Sequence, residues 1–118
     1  MPFDAAAGRR WLDDIHHPII LAERLADGMA CDALRDDLRT SYAVTRGLEI
    51  ISGASRRLPD ELKARHPSIH WRDMAAAGNV HRHDYEDVAV RGVWDTLRHH
   101  LPPLRIAIEQ ELASLGDP

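Results

Sequence analysis

The sequence predicts an all-α protein, and three observations support this. Apolar residues recur every three or four positions along most of the chain, which is the spacing of one helix face. Prolines and glycines fall where helices would start and stop, and no segment alternates apolar and polar residues as a half-buried strand does. The chain has 118 residues, 44% hydrophobic and 29% charged, which suits one globular domain spanning residues 1–118. We expect an antiparallel bundle of four or five helices.

The first predicted helix covers residues 9–27 and contains an internal proline. Pro18 lacks an N–H and its ring clashes with the preceding turn, so we expect it to kink the helix or to end it near His17. Gly28 is suited to stop the helix. Its apolar face holds Trp11, Ile15, Ile19 or Ile20, and Leu25.

The second predicted helix covers residues 32–58 and is the longest in the sequence. Two glycines, Gly47 and Gly53, lie in its interior, where each costs about 1 kcal/mol relative to alanine. Such glycines persist where another element packs closely, or where a side chain has been lost.

Shorter helical segments follow. Pro59 suits the first turn of a short helix that stops before Pro67. The next helix has Asp73 near its start, and Pro102 lies near a bend before the last helix, which Gly116 terminates. These later helices cover residues 72–85, residues 87 or 88 to 100, and residues 102–115.

Tryptophan occurs in three different predicted helices or at their starts. An indole ring buries a large apolar area, so we interpret all three residues as packing residues of the core or of an interface. They are Trp11, Trp71 and Trp94.

Charge and composition limit the classes of partner. The formal net charge is −4, so no basic field indicates nucleic-acid binding, and any RNA contact would be local and small. Cys31 is the only cysteine, which excludes an internal disulfide and favours a reducing cytoplasm. No stretch approaches ~20 apolar residues and the N-terminus lacks an apolar signal core, so we expect a cytoplasmic protein without a membrane segment.

Titratable groups are dense in one segment, where five successive residues include two histidines, an arginine, an aspartate and a tyrosine. His81 and His83 are two residues apart, so on a helix they diverge by about 200° and do not suit one metal ion. Adjacent pairs such as His99–His100 also point apart on an α-helix. No His-Glu-x-x-His pattern is present. We therefore expect neither a metal site nor a cofactor.

The chain resembles the HepT-like branch of the HEPN superfamily, in which similar features follow one another in the same order. The resemblance runs from about residue 43 to residue 112, and the first helix adds no diagnostic motif. The matching features are Arg46, Leu48 to Ile51, His66-Pro67, Ile69, Trp71-Arg72-Asp73, Asn79, His83, Tyr85, Val88, Val93-Trp94, Leu101-Pro102 and Leu104.

This resemblance implies a small all-α fold that forms a homodimer through its motif helices. Active members are metal-independent endoribonucleases that act as toxins. Their antitoxin is a minimal nucleotidyltransferase, which in some systems adenylylates the motif tyrosine. In this sequence the tyrosine in that position is Tyr85.

The family motif, Arg-x4-His-x-Tyr, has residue types that suit RNA cleavage without a metal. A base must deprotonate the 2′-hydroxyl and an acid must protonate the leaving 5′-oxygen, and histidine suits both because its ordinary pKa is about 6.5. Arginine stabilises the crowded phosphorane by paired, charge-assisted bonds to phosphate oxygens. His83 and Tyr85 match the motif, so the resemblance makes His83 the candidate catalytic residue.

The main departure from the motif is Gly78, which stands where the family has arginine. Losing one preorganised charge donor typically costs about 10²- to 10³-fold in rate. Arg82 follows four residues later, about 40° round a helix and roughly 6 Å along it, and could bring a guanidinium near the vacated space. His81 could add a second imidazole there, and with Asn79 it is a candidate for substrate binding. The alternative is that Arg82 and His81 are solvated, pair with nearby carboxylates or bind a partner.

Other departures suggest an eroded site. Relatives often carry asparagine and glutamate where this chain has Gly47 and Gly53, and both positions could face the motif helix. Arg46 is retained, with Glu49 three residues later. Arg46 is either half of an intrahelical ion pair or a fixed catalytic cation beside the RNA.

Two functions are therefore open. The first is a toxin ribonuclease that uses His83 with help from Arg82 or Arg46. The second is an inactive member that serves as the binding partner and AMP-accepting substrate of the nucleotidyltransferase, through Tyr85.

Overall fold

The computed structural model describes residues 5–79 and 86–116, and every element in those ranges is helical. A 3₁₀ turn, Ala77–Asn79, extends the fifth helix, and a π-helical turn, Thr96–His100, joins the sixth to the seventh. The prediction of an all-α class is confirmed for this part of the chain. The helices are α1 (Ala5–Leu25), α2 (Cys31–Asp36), α3 (Leu38–Arg57), α4 (Asp60–Ala64), α5 (Trp71–Ala76), α6 (Glu86–Asp95) and α7 (Leu101–Leu115).

Helix α1 runs through its internal proline. Of the two alternatives expected at Pro18, a kink or an end of the helix near His17, the second is wrong, because α1 continues to Leu25. The proline is itself buried, and fully buried residues lie on both sides of it, at Ile15 and Ile19. Packing of this face on α3 and α7 outweighs the local cost of the missing hydrogen bond.

The predicted helix over residues 32–58 is divided at Asp37, whose backbone is extended (φ −103°, ψ 90°). Its carboxylate accepts a hydrogen bond from the Thr40 N–H at 3.0 Å and another from the Thr40 hydroxyl at 2.9 Å. This is an N-cap for α3. The N–H of Thr40 is the largest cause that lowers the pKa of Asp37 from its ordinary value.

The core lies where α1, α3 and α7 meet. Each contributes side chains with no solvent exposure, and these include Leu12, Ile15, Ile19, Val44, Ile51, Leu104 and Ile108. Burial of such aliphatic side chains is the main favourable term in folding.

The tryptophans pack as predicted. All three are partly buried against the core. The indole N–H of Trp94 donates to the Met29 carbonyl at 3.1 Å, which ties α6 to the turn between α1 and α2. The indole N–H of Trp71 donates to the carbonyls of Lys63 and His66, at 3.1 and 3.2 Å, and fixes the start of α5 on the end of α4 and the loop after it.

The π turn accommodates two consecutive prolines. Pro102 and Pro103 cannot donate to the carbonyls of Arg98 and His99 four residues earlier. The N–H of Leu101 instead reaches the carbonyl of Thr96, five residues back, which widens the helix in the turn before the prolines. The predicted bend near Pro102 is thus a local widening within a continuous helical segment. Gly116 ends α7 with φ +75°, as expected of a helix terminator.

A buried carboxylate joins α7 to the loop after α4. Glu111 is 8% exposed and accepts two hydrogen bonds from the Arg65 guanidinium, at 2.6 and 3.1 Å. The imidazole of His66 lies 2.6 Å from the same carboxylate. Hydrogen bonds from Arg65, followed by those from His66, hold the pKa of Glu111 below its ordinary value against the opposing effect of burial.

Among the helices that the structure describes, none is both long enough and apolar enough to cross a bilayer.

The substitution Glu111→Gln tests this carboxylate clamp. Removing the charge weakens bonds to Arg65 and His66, so we expect the variant to lose about 1–3 kcal/mol of unfolding free energy at neutral pH. Because the folded-state pKa of Glu111 is depressed, its contribution is present above the unfolded value near 4.5 and disappears as pH falls through the lower folded value.

Urea denaturation at pH 7 and at acid pH measures the effect. The difference between wild type and Glu111→Gln should shrink as pH falls below 4.5. Asp14→Asn, which alters an exposed carboxylate of α1, should change stability little at either pH. A difference for Glu111→Gln that is independent of pH would contradict the assignment.

Candidate functional site

The segment that leads into the family motif lies along one flank of α3. We call residues 71–79 the motif segment. The Ala75 carbonyl of this segment accepts hydrogen bonds from the Ser52 hydroxyl and from the Arg56 guanidinium, both at 2.5 Å. Two α3 side chains therefore hold the backbone of the motif segment against that helix.

Gly78 is where the two backbones come closest. A Cβ placed on Gly78 would lie 2.9 Å from the Cα of Glu49 and 3.0 Å from the Cβ of Ser52. Real Cβ atoms do not approach backbone atoms so closely, so any side chain here would push the motif segment away from α3. The packing of the motif segment on α3 therefore requires a glycine at position 78. Loss of the motif arginine is not the whole explanation for this residue.

The other two glycines of the predicted eroded site, Gly47 and Gly53, do not make the close contact that Gly78 makes. A Cβ on Gly47 would lie 3.6 Å from the Cβ of Ala22, so this position faces α1 and not the motif segment. A Cβ on Gly53 would meet none of the described residues within 4 Å. The expectation that Gly47 faces the motif helix is wrong, because the 3.6-residue helical repeat puts it on the flank of α3 away from Ser52. For Gly53 the expectation stays a prediction.

Arg46 forms the predicted intrahelical ion pair. Its guanidinium lies 3.0 Å from the Glu49 carboxylate, and the two side chains are 70% and 42% exposed. Glu49 is also the residue whose Cα faces Gly78. The pair therefore lies beside the point at which the motif segment meets α3, and the guanidinium remains open to solvent.

Most of the predicted site residues lie outside the described part of the chain. These are His81, Arg82, His83 and Tyr85. Asn79 closes the 3₁₀ turn, and only its backbone is described. The roles assigned to these five residues remain predictions.

The structure brings His70 to the same cleft as His99 and His100, which no pattern in the sequence indicates. His70 lies at the start of α5, with Nδ1 3.5 Å from Asp73. His99 and His100 both approach Asp95, at 3.8 and 3.7 Å. The expectation that His99 and His100 point apart does not hold, because they lie in the π turn, which rotates less per residue than an α-helix. The paired prolines after them were the signal in the sequence.

Metal ligation has no support in the described ranges. Within residues 5–79 and 86–116 no group of three or more histidine, cysteine, aspartate or glutamate residues is placed to hold a metal ion.

The fold and the site define the class: an all-helical protein in which a segment leading to a histidine–tyrosine motif is fixed on a long central helix. The family model described as "Ribonuclease HepT-like" matches residues 15–111. This chain belongs to the HepT-like ribonuclease family.

Curated relatives come from archaea and bacteria. The chain is 36% identical over 100 residues to a protein of Thermococcus cleftensis named "Probable ribonuclease HepT", covering 85% of this chain and 91% of the relative. It is 30% identical over 92 residues to a protein of Caldanaerobacter subterraneus subsp. tengcongensis that is provisionally named as an RNase, covering 78% and 81%. No solved structure matches the chain significantly.

The same substitution, glycine to alanine, at two positions tests the role of Gly78. Gly78→Ala places a Cβ against the α3 backbone, so we expect a loss of about 1–3 kcal/mol of unfolding free energy. Gly53→Ala adds a methyl group in open space on a helix, and should gain about 0.5–1 kcal/mol. Chemical denaturation of both variants measures whether each substitution lowers or raises the free energy of unfolding. A neutral or stabilising Gly78→Ala would show that the close approach is not required.

Proposed function

We propose that this chain is the ribonuclease component of a toxin–antitoxin module and that it cleaves RNA without a metal ion. Membership of the HepT-like ribonuclease family supports an RNase. The observation that carries the proposal further is the contact between Gly78 and α3. Because Glu49 lies opposite Gly78 and binds Arg46, a cation from α3 lies next to the segment that leads to the catalytic histidine.

The proposed chemistry is transesterification of the RNA backbone. An imidazole of His83 removes the proton of the 2′-hydroxyl, whose oxygen attacks phosphorus. A second imidazole, from His83 of the other copy in a dimer, protonates the departing 5′-oxygen. The products are a 2′,3′-cyclic phosphate and a free 5′-hydroxyl.

Arg46 is the proposed replacement for the missing motif arginine. No side chain fits at position 78 without displacing the motif segment, so the positive charge must come from another residue. Arg46 is one helical turn from Glu49, and its guanidinium can exchange that carboxylate for a phosphate oxygen. Arg82 is the second proposed cation, and Asn79 and His81 the proposed substrate-binding residues.

A homodimer formed through α3 and the motif helix is part of the proposal. The outer face of α3 exposes apolar side chains around the Arg46–Glu49 pair: Leu38 by 53%, Tyr42 by 71% and Ile50 by 42%. Large exposed apolar side chains near a charged pair suit an interface with a polar site inside it. Such an interface would bring two copies of the Arg46 region together.

RNA cleavage by the purified chain tests the nuclease proposal. We expect wild type to cleave single-stranded RNA in the presence of EDTA, and His83→Ala to reduce the rate by at least about 10²-fold, since it removes the acid and the base. Arg46→Ala should reduce it by about 10- to 10²-fold. The matched controls, His17→Ala and Arg10→Ala, change exposed residues of α1 and should cleave like wild type.

Two results would count against this proposal. If wild type and His83→Ala are equally inactive, the chain is not a nuclease. If Arg46→Ala cleaves like Arg10→Ala, the cation has another source, and Arg82→Ala then tests the second candidate.

The alternative function is a binding partner without nuclease activity. The close packing at Gly78 favours it, because the arginine that active members use is absent and has no room to return. In this case the chain binds a minimal nucleotidyltransferase antitoxin, and the hydroxyl of Tyr85 accepts AMP. An attached phosphate would add negative charge where RNA phosphate would otherwise bind.

Adenylylation is measured by incubating the chain with the nucleotidyltransferase and ATP, followed by mass spectrometry. We expect one AMP on wild type and none on Tyr85→Phe. Tyr42→Phe, which changes the exposed tyrosine of α3, should be modified like wild type. Equal modification of Tyr85→Phe would exclude Tyr85 as the acceptor.

A further inference from the structure

A cleft lies between the start of α5 and the π turn. We call it the histidine cleft, because His70 lies on one wall and His99 and His100 on the other. Its volume is about 200 Å³. A recess of about 190 Å³ continues from it past Met74 and His100 to Asp73, Thr96 and Ala77.

The cleft has an apolar floor and a polar rim. Met74, only 4% exposed, underlies both the cleft and the recess, with Ile69 and Pro103 beside it. The imidazoles of the rim are open to solvent: the His70 side chain is 71% exposed and that of His100 is 44% exposed. A flat ligand can therefore lie on Met74 and stack against an imidazole while its edge meets polar groups.

The negative charges of two carboxylates beside the cleft limit the kind of ligand that can bind there. Asp73 lies beside His70, and Asp95 lies beside both His99 and His100. A phosphate or another small anion would be repelled by these two carboxylates. The described residues offer no group suited to a metal ion. A neutral, planar ligand with both donors and acceptors fits the apolar floor, the imidazoles and the carboxylates together.

The position of the cleft relates it to the proposed nuclease site. His70, Asp73, Met74 and Ala77 line the cleft or its recess, and Gly78, the next residue, lies against Glu49 and Ser52 of α3. The motif segment therefore borders both the cleft and the part of α3 that carries the Arg46–Glu49 pair. An RNA strand bound at the motif could place a neighbouring base in the cleft.

We infer that the histidine cleft binds one unstacked base of single-stranded RNA and prefers a base with an exocyclic amino group. This inference rests on the proposed function, because it supplies a specificity subsite for the same substrate. Unstacked bases bind proteins by stacking on aromatic rings, histidine included, and by hydrogen bonds along their edges. The carboxylate of Asp73 accepts from an amino group of cytosine, adenine or guanine, whereas uracil offers a carbonyl oxygen at that edge and is disfavoured.

Binding of 2′-O-methyl oligonucleotides tests the preference. Their blocked 2′-oxygen prevents cleavage, so the wild-type chain can be used and the result does not depend on catalysis. We expect fluorescein-labelled oligo-C and oligo-A to bind at least about fivefold more tightly than oligo-U. The double variant His70→Ala/Asp73→Asn should bind all three equally and weakly. The control His17→Ala/Asp14→Asn, on α1, should keep the wild-type preference.

A direct measurement on the wild-type chain locates the bound base. Imidazole NMR signals are followed during titration with the nucleosides cytidine, adenosine and uridine, which carry no phosphate. We expect cytidine and adenosine to shift the signals of His70, His99 and His100 and to leave His17 unchanged. Equal affinity for all three oligonucleotides, or shifts that miss these three histidines, would overturn the inference.

The two proposals can fail separately. If the chain cleaves RNA but His70→Ala/Asp73→Asn keeps the wild-type base preference, the cleft proposal fails and the nuclease proposal stands. If nothing is cleaved but cytosine and adenine still bind at the cleft, the nuclease proposal fails and the base-binding cleft stands.

Discussion

Helix α3 packs closely against two neighbours, and its contact with one of them, the motif segment, depends on the absence of a side chain. On one flank Gly47 lies against Ala22 of α1, and on the other Gly78 of the motif segment lies against Glu49 and Ser52. Small residues let backbones approach, which brings hydrogen-bonding groups into range. The bonds from Ser52 and Arg56 to the Ala75 carbonyl are possible only at this separation. The fold therefore fixes the motif segment on α3 through hydrogen bonds to its backbone.

This constraint changes the meaning of the missing arginine. From the sequence, a glycine in the arginine position indicates loss of a phosphate-binding group. In the folded chain the same glycine is a condition of packing, so restoring the arginine alone would not restore an active site. The sequence could not distinguish these two cases, because glycine is found both where a functional side chain has been lost and where packing leaves no room for one. Only the distance to α3 distinguishes them.

The helical class, the packing tryptophans, the Arg46–Glu49 pair and the terminator Gly116 could all be predicted, because each depends on spacing along a single helix. The passage of α1 through Pro18 could not, since it depends on α3 and α7 packing against both sides of the proline. The break at Asp37 had a local signal in Thr40, three residues on, but strong apolar periodicity on both sides concealed it. The approach of His70 to His99 and His100 depends on a contact between distant segments, which one sequence does not show.

The π turn also sets the rotational phase between α6 and α7. Each residue of an α-helix rotates the side-chain direction about the helix axis by about 100°. A residue of the wider π turn rotates it by less, so the side chains of α7 point in directions that differ from those of an uninterrupted α-helix. With this difference in direction Leu97 and Leu101 are both buried, and the apolar face passes from Val93 through Leu104 to Ile108 without moving to the solvent side. If Thr96–His100 were wound as an ordinary α-helix with all five residues kept, α7 would be turned about its axis by roughly a quarter of a revolution. The π turn thus aligns the apolar face of α7 with that of α6, so that both helices pack on the same core.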